Sequence, residues 1–362
     1  MDKKNVAALL YGNQSHHLDH LAPLCSLMQM PLIFTDEEVA ASYKKYYPNP
    51  ESILLDPLSG PDWIVKNYDL LFYSMPRPLF EEIFFFAERL FRKKIPTIWI
   101  PHGNSDKGSD SVFMEALAEE EVALLYGKRI IDFLMKKHVL EKFKGYVITG
   151  NLRYTYYQKE KPFFQNLIKQ HIHRKLKKAV RTILYAPTWQ DYEKSSSFFD
   201  AAPLLLETLP KEFNLIIKLH PNLLLQQEFN VEALIEKYEG EENILFLKEF
   251  PPIYPLLDDV DIYLGDASSI GYDFLSFNKP LFFLKQTSTP LYLHQAGVVI
   301  EKEDYPRIYQ IIDQNLANDT MRFAPIRKEL YEETFGKEKP WDLLKEEIIK
   351  TYELFEDDLN FL

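Results

Sequence analysis

The chain is 362 residues long, too long for one ordinary core and suited to two domains of roughly 100–200 residues each. Hydrophobic residues make up 46% and aromatics 14%, enough to bury large cores, and no segment has the composition of a disordered chain. The formal net charge of -12 argues against nucleic-acid binding by the chain as a whole, because phosphate contacts need clustered Lys and Arg. A single cysteine, Cys25, excludes an internal disulfide and a cysteine metal cluster, which fits a reducing cytoplasm.

In chain order, the first apolar run, Val6 to Leu10, predicts a strand over Asn5–Tyr11 and is too short for a signal-peptide core. No run approaches the roughly 18 apolar residues of a membrane-spanning helix. His16, His17 and His20 follow that strand. His16 and His20 share a helical face at metal-like spacing, but no matching acid or third ligand accompanies them, so no metal site is expected.

Further strands are predicted at Pro31–Phe34, Ser52–Leu55, Leu70–Ser74, Thr97–Pro101, Val122–Tyr126 and Tyr146–Thr149. Longer amphipathic segments separate them, the pattern of parallel strands joined by crossover helices. Residues 1–152 therefore read as one Rossmann-like domain. The polar, aromatic and basic stretch Arg153–Lys178 carries no strand signal and reads as a helical linker. Residues 179–338 read as a second sheet domain, with strands at Thr182–Ala186, Asn214–Leu219, Ile244–Leu247, Asp261–Gly265, Leu281–Leu284 and Val298–Ile300. Residues 339–362 read as a terminal helical segment that returns to the first domain. The basic runs Arg89–Lys94, Lys136–Lys144 and His171–Arg181 are either solvated helix faces or docking patches for an anionic membrane surface or polymer.

Four loops place polar groups where an apolar strand stops, the usual position of ligands in open α/β sheets. In the first, Ile100–Gly108 (IPHGNSDKG), His102 stands where a base meets a substrate hydroxyl, beside Gly103 and Asn104; a turn with a hydrogen-bonded histidine is the plainer alternative. In the second, Leu184–Ser197, a strand ends in Ala186-Pro187 and then presents Thr188, Trp189, Gln190 and Asp191, for a phosphate and a flat base or as a packed corner. The third, Leu215–Asn222 (LIIKLHPN), has Lys218 and His220 on one face of an alternating strand, and Pro221 turns the chain away. A cation and an imidazole there suit a diphosphate whose bridging oxygen gains charge as it leaves. In the fourth, YLGDASSIGYDF from Tyr263, the strand ends at Asp266, and Ser268 and Ser269 open a helix whose free N–H groups attract phosphate. Asp266 reads as a helix cap, an orienting acceptor or a ligand for a sugar or glycerol hydroxyl, and a serine-capped helix without a ligand is the alternative for the whole loop. Asp258, Asp259 and Asp261 precede a strand and read as surface residues, and no Gly-x-x-x-x-Gly-Lys-Ser/Thr loop supports kinase or ATPase chemistry.

Taken in order, His102-Gly103, Ala186-Pro187-Thr188-Trp189, His220-Pro221, Asp266-Ala267-Ser268-Ser269, Asp273-Phe274 and Lys279-Pro280 resemble the CDP-glycerol glycerophosphotransferase family of teichoic-acid-type polymer synthesis. The resemblance implies a GT-B fold, two Rossmann-like domains with parallel sheets facing an interdomain cleft, the nucleotide held mainly by the second. It also implies His102 as general base and His220 as the group that neutralises the diphosphate. Gly103, Asn104, Thr188, Trp189, Lys218, Asp266, Ser268, Ser269 and Asp273 are then the expected substrate-binding residues. Pro101 stands where the family usually has Trp, Gln190 where it usually has Arg, and Ala267 where it usually has Tyr. The implied partners are a CDP-linked donor, CDP-glycerol or similar, and a polymer or lipid-linked acceptor, handled in the cytoplasm or at the inner membrane face without cofactor, metal or nucleic acid. A GT-B glycosyltransferase or nucleotide-sugar epimerase acting on a UDP- or GDP-sugar is the rival reading, and a non-catalytic binding homologue a second.

Overall fold

A computed structural model describes residues 4–104, 119–176, 180–189, 196–224, 230–286 and 291–355. The chain divides into two compact units, one formed by Met1–His102, Ser109–Lys159 and Glu333–Leu362, the other by Gly103–Gly108 and Glu160–Glu332.

The first unit is built on a seven-stranded sheet of β1 (Val6–Leu10), β2 (Leu32–Phe34), β3 (Ser52–Leu54), β4 (Leu70–Tyr73), β5 (Thr97–Trp99), β6 (Val122–Leu125) and β7 (Gly145–Ile148). The strand order is β3-β2-β1-β4-β5-β6-β7, and each described pairing is parallel. The chain winds outward one way from β1 and then the other way from β4, which makes the β1–β4 boundary the topological switch point. Strands such as LLFY in β4 and VALL in β6 are buried along their whole length. Helices cover both faces of such a sheet, so its central strands are apolar throughout and do not alternate.

The second unit holds a six-stranded parallel sheet of β8 (Arg181–Ala186), β9 (Phe213–Lys218), β10 (Ile244–Leu247), β11 (Ile262–Gly265), β12 (Leu281–Leu284) and β13 (Val298–Ile300). Its order is β10-β9-β8-β11-β12-β13, with the switch point between β8 and β11. Ile183, Tyr185, Leu215, Ile217, Leu264 and Phe282 lie at the centre of its core. Burying one aliphatic side chain of this size contributes about 1.5–3 kcal/mol. The long helix Ile308–Phe335 carries Asp319 and Arg327, whose side chains are fully buried and paired through two contacts of 3.1 and 2.7 Å. Arg327 Nε also donates to Asn278 Oδ1 at 2.8 Å.

Each predicted strand is present, with no end shifted by more than two residues. The stretch Arg153–Lys178 is helical over Leu152–Lys159 and Lys161–Ile168, then passes through a π-helical turn at Lys169–His173. Arg153 is buried, and its guanidinium grips the Asp19 carboxylate at 2.5 and 3.0 Å. The acidic group before β11 ties elements together. Asp258 pairs with Lys161, Asp259 with His173, and the Asp261 carboxylate accepts from the Thr182 amide. Several lysines of the basic runs are likewise committed internally. Lys93 donates to the Val65 and Tyr68 carbonyls and to Asp69, while Lys94 and Lys144 both reach Glu121. Among the described residues, no helix is long and apolar enough to cross a membrane.

Candidate active site

In the second unit, strand register brings the predicted loops together. Gly265 pairs with Ala186, and Tyr185 with Ile217, so the carboxyl ends of β9, β8 and β11 lie side by side. A Cβ on Gly265 would sit 2.7 Å from the Ala186 carbonyl oxygen and 2.8 Å from the Tyr263 hydroxyl. Only glycine allows the two strand ends to approach this closely.

Asp266 is the first residue beyond β11 and is buried. Its carboxylate accepts from the Thr188 amide at 2.8 Å and from the Ser197 amide at 3.2 and 3.3 Å. These contacts orient the loop after β8. Bound to amides on two sides, Asp266 fixes both ends of that loop. Ser196 adds a hydroxyl bond to the Thr188 carbonyl at 2.7 Å. Because Thr188 is held through its backbone, its hydroxyl takes no part in this clasp. Gln190 and Asp191 lie outside the described residues, as does the segment 105–118 that follows Asn104.

The Trp189 ring lies 6.3 Å from the His220 ring, at 34°. The Asn222 amide donates to His220 Nδ1 at 3.2 Å, so Nδ1 carries a lone pair and the ring proton resides on Nε2. Lys218 is the last residue of β9, partly exposed. Pro221 starts a short helix immediately after His220.

Ser268 occupies the N-cap of the helix Ser269–Phe274, yet its side chain makes no capping bond. Asp36 and Asn230 show the contrast, since each accepts from an amide of its own helix at 2.9 Å. The Ser268 hydroxyl lies instead 3.4 Å from the Tyr263 hydroxyl. The Ser268 side chain therefore does not cap this helix, while its carbonyl accepts from the Gly271 amide at 3.1 Å and the Tyr272 amide at 3.4 Å. Asp273 is 3% exposed, and its carboxylate accepts from the Tyr254 hydroxyl at 2.9 Å. It braces the helix Ser269–Phe274 against the helix Ile253–Asp259.

In the first unit, His102 follows β5 at the carboxyl edge of the sheet. The residue is exposed, but protein crowds the remaining sides of its ring and disfavours the imidazolium. This desolvation lowers its pKa from 6.5, opposed by a hydrogen bond with the Ser74 backbone. Gly103 follows with φ +138°, a conformation that favours glycine. Asn104 is buried, which argues against direct access to a substrate.

The histidines after β1 belong to this group. His17 lies in the 3-10 turn Ser15–His17, its ring 4.9 Å from that of His102, and its Nδ1 lies 2.7 Å from the Ser74 hydroxyl. His20 is buried, with Nδ1 2.9 Å from the Tyr126 hydroxyl. Spacing alone suggested a helical face shared with His16; the fold instead gives His17 and His20 separate hydroxyl partners. The sequence signal that marked this group was the position of three histidines just after the first strand. Its partners, Ser74 and Tyr126, gave none.

Residues 133–308 match the model of a family described as CDP-Glycerol:Poly(glycerophosphate) glycerophosphotransferase. The matched segment contains Thr188, Lys218, His220, Asp266 and Ser268 and does not reach His102. A teichoic acid glycerol-phosphate primase of Bacillus subtilis (strain 168) is 22% identical over 291 residues, 75% of this chain and 70% of that protein. The solved wall teichoic acid polymerase TagF superposes with a TM-score of 0.65 at 12% identity, over 96% of this chain and 90% of the other. A UDP-GlcNAc 2-epimerase from Neisseria meningitidis superposes with a TM-score of 0.58 at 13% identity, over 96% and 99%. These structural likenesses are to GT-B architecture, in agreement with the two parallel sheets. The matched segment, the primase relative and the fold together support the CDP-glycerol glycerophosphotransferase family, whose members are transferase enzymes.

Proposed function

We propose that the chain transfers glycerol phosphate from CDP-glycerol, or a closely related CDP-linked alcohol, to an acceptor hydroxyl in teichoic-acid-type polymer synthesis. His102 removes the acceptor proton, and the resulting oxygen attacks the phosphorus next to the glycerol. The bond from that phosphorus to the bridging oxygen breaks, and CMP leaves with the bridging oxygen. Phosphoryl transfer of this kind depends chiefly on positioning and on offsetting charge. His220 donates from Nε2 toward the leaving oxygen, with Lys218, the Thr188 and Ser268 hydroxyls and the Ser269 and Ile270 amides supplying further positive potential. Trp189 offers a flat face to the cytosine. The acceptor is polymer- or lipid-linked and is met at the inner membrane face, where exposed Arg89 and Lys136 suit an anionic surface.

The observation that carries this reading is the donor array at the β8–β11 switch point, where a buried Asp266 clasps the Thr188 loop beside His220 and the uncapped Ser268. The test is CMP release from CDP-glycerol with glycerol-phosphate and glycan acceptors, alongside binding of UDP- and GDP-sugars. Turnover that survives unchanged in both His102→Ala and His220→Ala refutes the assigned roles. Strong preference for a UDP- or GDP-sugar, with no response to CDP-glycerol, refutes the substrate.

A further inference from the structure

His102 follows the short strand β5, and two sets of contacts from other strands fix it. The first acts on its ring. His17, beyond the end of β1, packs its ring 4.9 Å from the His102 ring at a 54° tilt. His17 Nδ1 is 2.7 Å from the hydroxyl of Ser74, the residue that follows β4, and the Ser74 backbone bonds His102. Ser74 therefore holds both imidazoles, and this junction stands at the switch point between β1 and β4. Both His17 and Ser74 are almost fully buried.

The second set acts on the backbone. The Tyr126 hydroxyl, just beyond β6, donates to the Pro101 carbonyl at 2.5 Å. With its one proton so used, that hydroxyl accepts from His20 Nδ1–H at 2.9 Å, which assigns the His20 tautomer. The Pro101 carbonyl belongs to the peptide that joins Pro101 to His102. Ring and peptide are thus gripped independently.

We propose that His17 and His20 are positioning residues for proton removal by His102, His17 acting with Ser74 on the imidazole plane and His20 acting through Tyr126 on the Pro101–His102 peptide. This deepens the proposed function and rests on His102 being its base. Burial holds the pKa of both His17 and His20 well below 6.5, with neighbouring His102 and His16 adding to the effect on His17 and Arg153 to that on His20. Neutral at pH 7, they do not repel the charge that His102 acquires with the proton. A base displaced by about 1 Å loses on the order of 10²-fold in rate, and these contacts restrain such a displacement.

The test uses the full chain and steady-state CMP release from CDP-glycerol. His17→Phe keeps a ring but loses the Ser74 bond; Tyr126→Phe keeps a ring but loses both the Pro101 bond and the His20 partner. Each is expected to lower kcat about 10- to 100-fold, with KM for the donor unchanged because the donor groups lie in the second unit. His17→Asn, whose amide occupies the place of Nδ1, should recover part of the His17→Phe loss. In a His102→Ala background neither substitution should lower the residual rate further, since both act through His102. Unfolding midpoints identify any variant that fails to fold, and the other arm then carries the test.

Wild-type kcat in both folded variants overturns the positioning role alone, provided that His102→Ala is impaired. A loss that persists in full in the His102→Ala background, or one expressed as a raised donor KM, also overturns it. Unimpaired His102→Ala overturns the base assignment and this inference together.

Discussion

The amide of Thr188 donates to the Asp266 carboxylate across 2.8 Å, joining two residues 78 positions apart at the switch point of the second sheet. The same carboxylate takes the Ser197 amide. One buried anion thereby shapes the loop that carries Thr188 and Trp189. In Asp266→Asn an NH2 group replaces one of the accepting oxygens and faces amide donors. Hydrogen bonds to a charged group are worth about 1.5–3 kcal/mol, so denaturant unfolding should show a loss of that size. Donor KM should rise as the loop loosens, measured as the CDP-glycerol dependence of CMP release. Wild-type stability and KM together would refute the clasp.

Proton removal by His102 requires its neutral form. Desolvation sets its pKa below 6.5, so lowering the pH through 6.5 should leave kcat/KM on its plateau, and the acid limb should appear only at lower pH. A His102-dependent limb centred above 6.5, removed in His102→Gln, would contradict the crowding of this ring. The readout is a pH–rate profile of both proteins.

His17 and His20 have pKa values depressed in the folded state, chiefly by burial. Below 6.5 the unfolded chain binds protons at these two residues that the folded chain does not, so stability rises with pH across that window and falls on acidification. Each buried histidine can contribute up to about 1.4 kcal/mol per pH unit between its folded pKa and 6.5. Urea unfolding of the first unit at pH 7.5 and 5.5 checks this. Replacing His20 by Gln should shrink the difference; an unchanged difference would count against His20 being buried in its neutral form.

Arg327 and Asp319 are fully buried partners in the helix Ile308–Phe335. Asp319→Ala leaves an uncompensated guanidinium and is expected to destabilise by about 3–5 kcal/mol. Replacing the pair together with apolar residues of similar volume should cost much less. A double-mutant cycle read by denaturant unfolding separates the two; equal losses would show that packing, and not charge, dominates there.

Much of the fold is legible in the chain because parallel strands buried on both faces are continuous apolar runs, and amphipathic segments between them force crossovers. LLFY at Leu70 and LFFL at Leu281 illustrate the signal. The strand-end loops were legible for a related reason: polar residues such as Thr188, His220, Asp266 and Ser268 interrupt apolar runs where a strand stops. The bond from the Tyr254 hydroxyl to Asp273 was not legible, because nothing near Asp273 in the chain marks a partner 19 residues earlier.

The sequence by itself determined which segments are strands, the order in which they follow one another, and which loops carry the polar groups, since these depend on local periodicity and composition. Tertiary structure decided what each polar group does. Whether Asp266 meets a ligand or the amides of Thr188 and Ser197 depends on a partner across a strand pair. Which hydroxyls His17 and His20 meet depends on Ser74 and Tyr126, 57 and 106 residues away. A hydrogen bond acts over about 3 Å, and only folding brings atoms so distant in the chain within that reach.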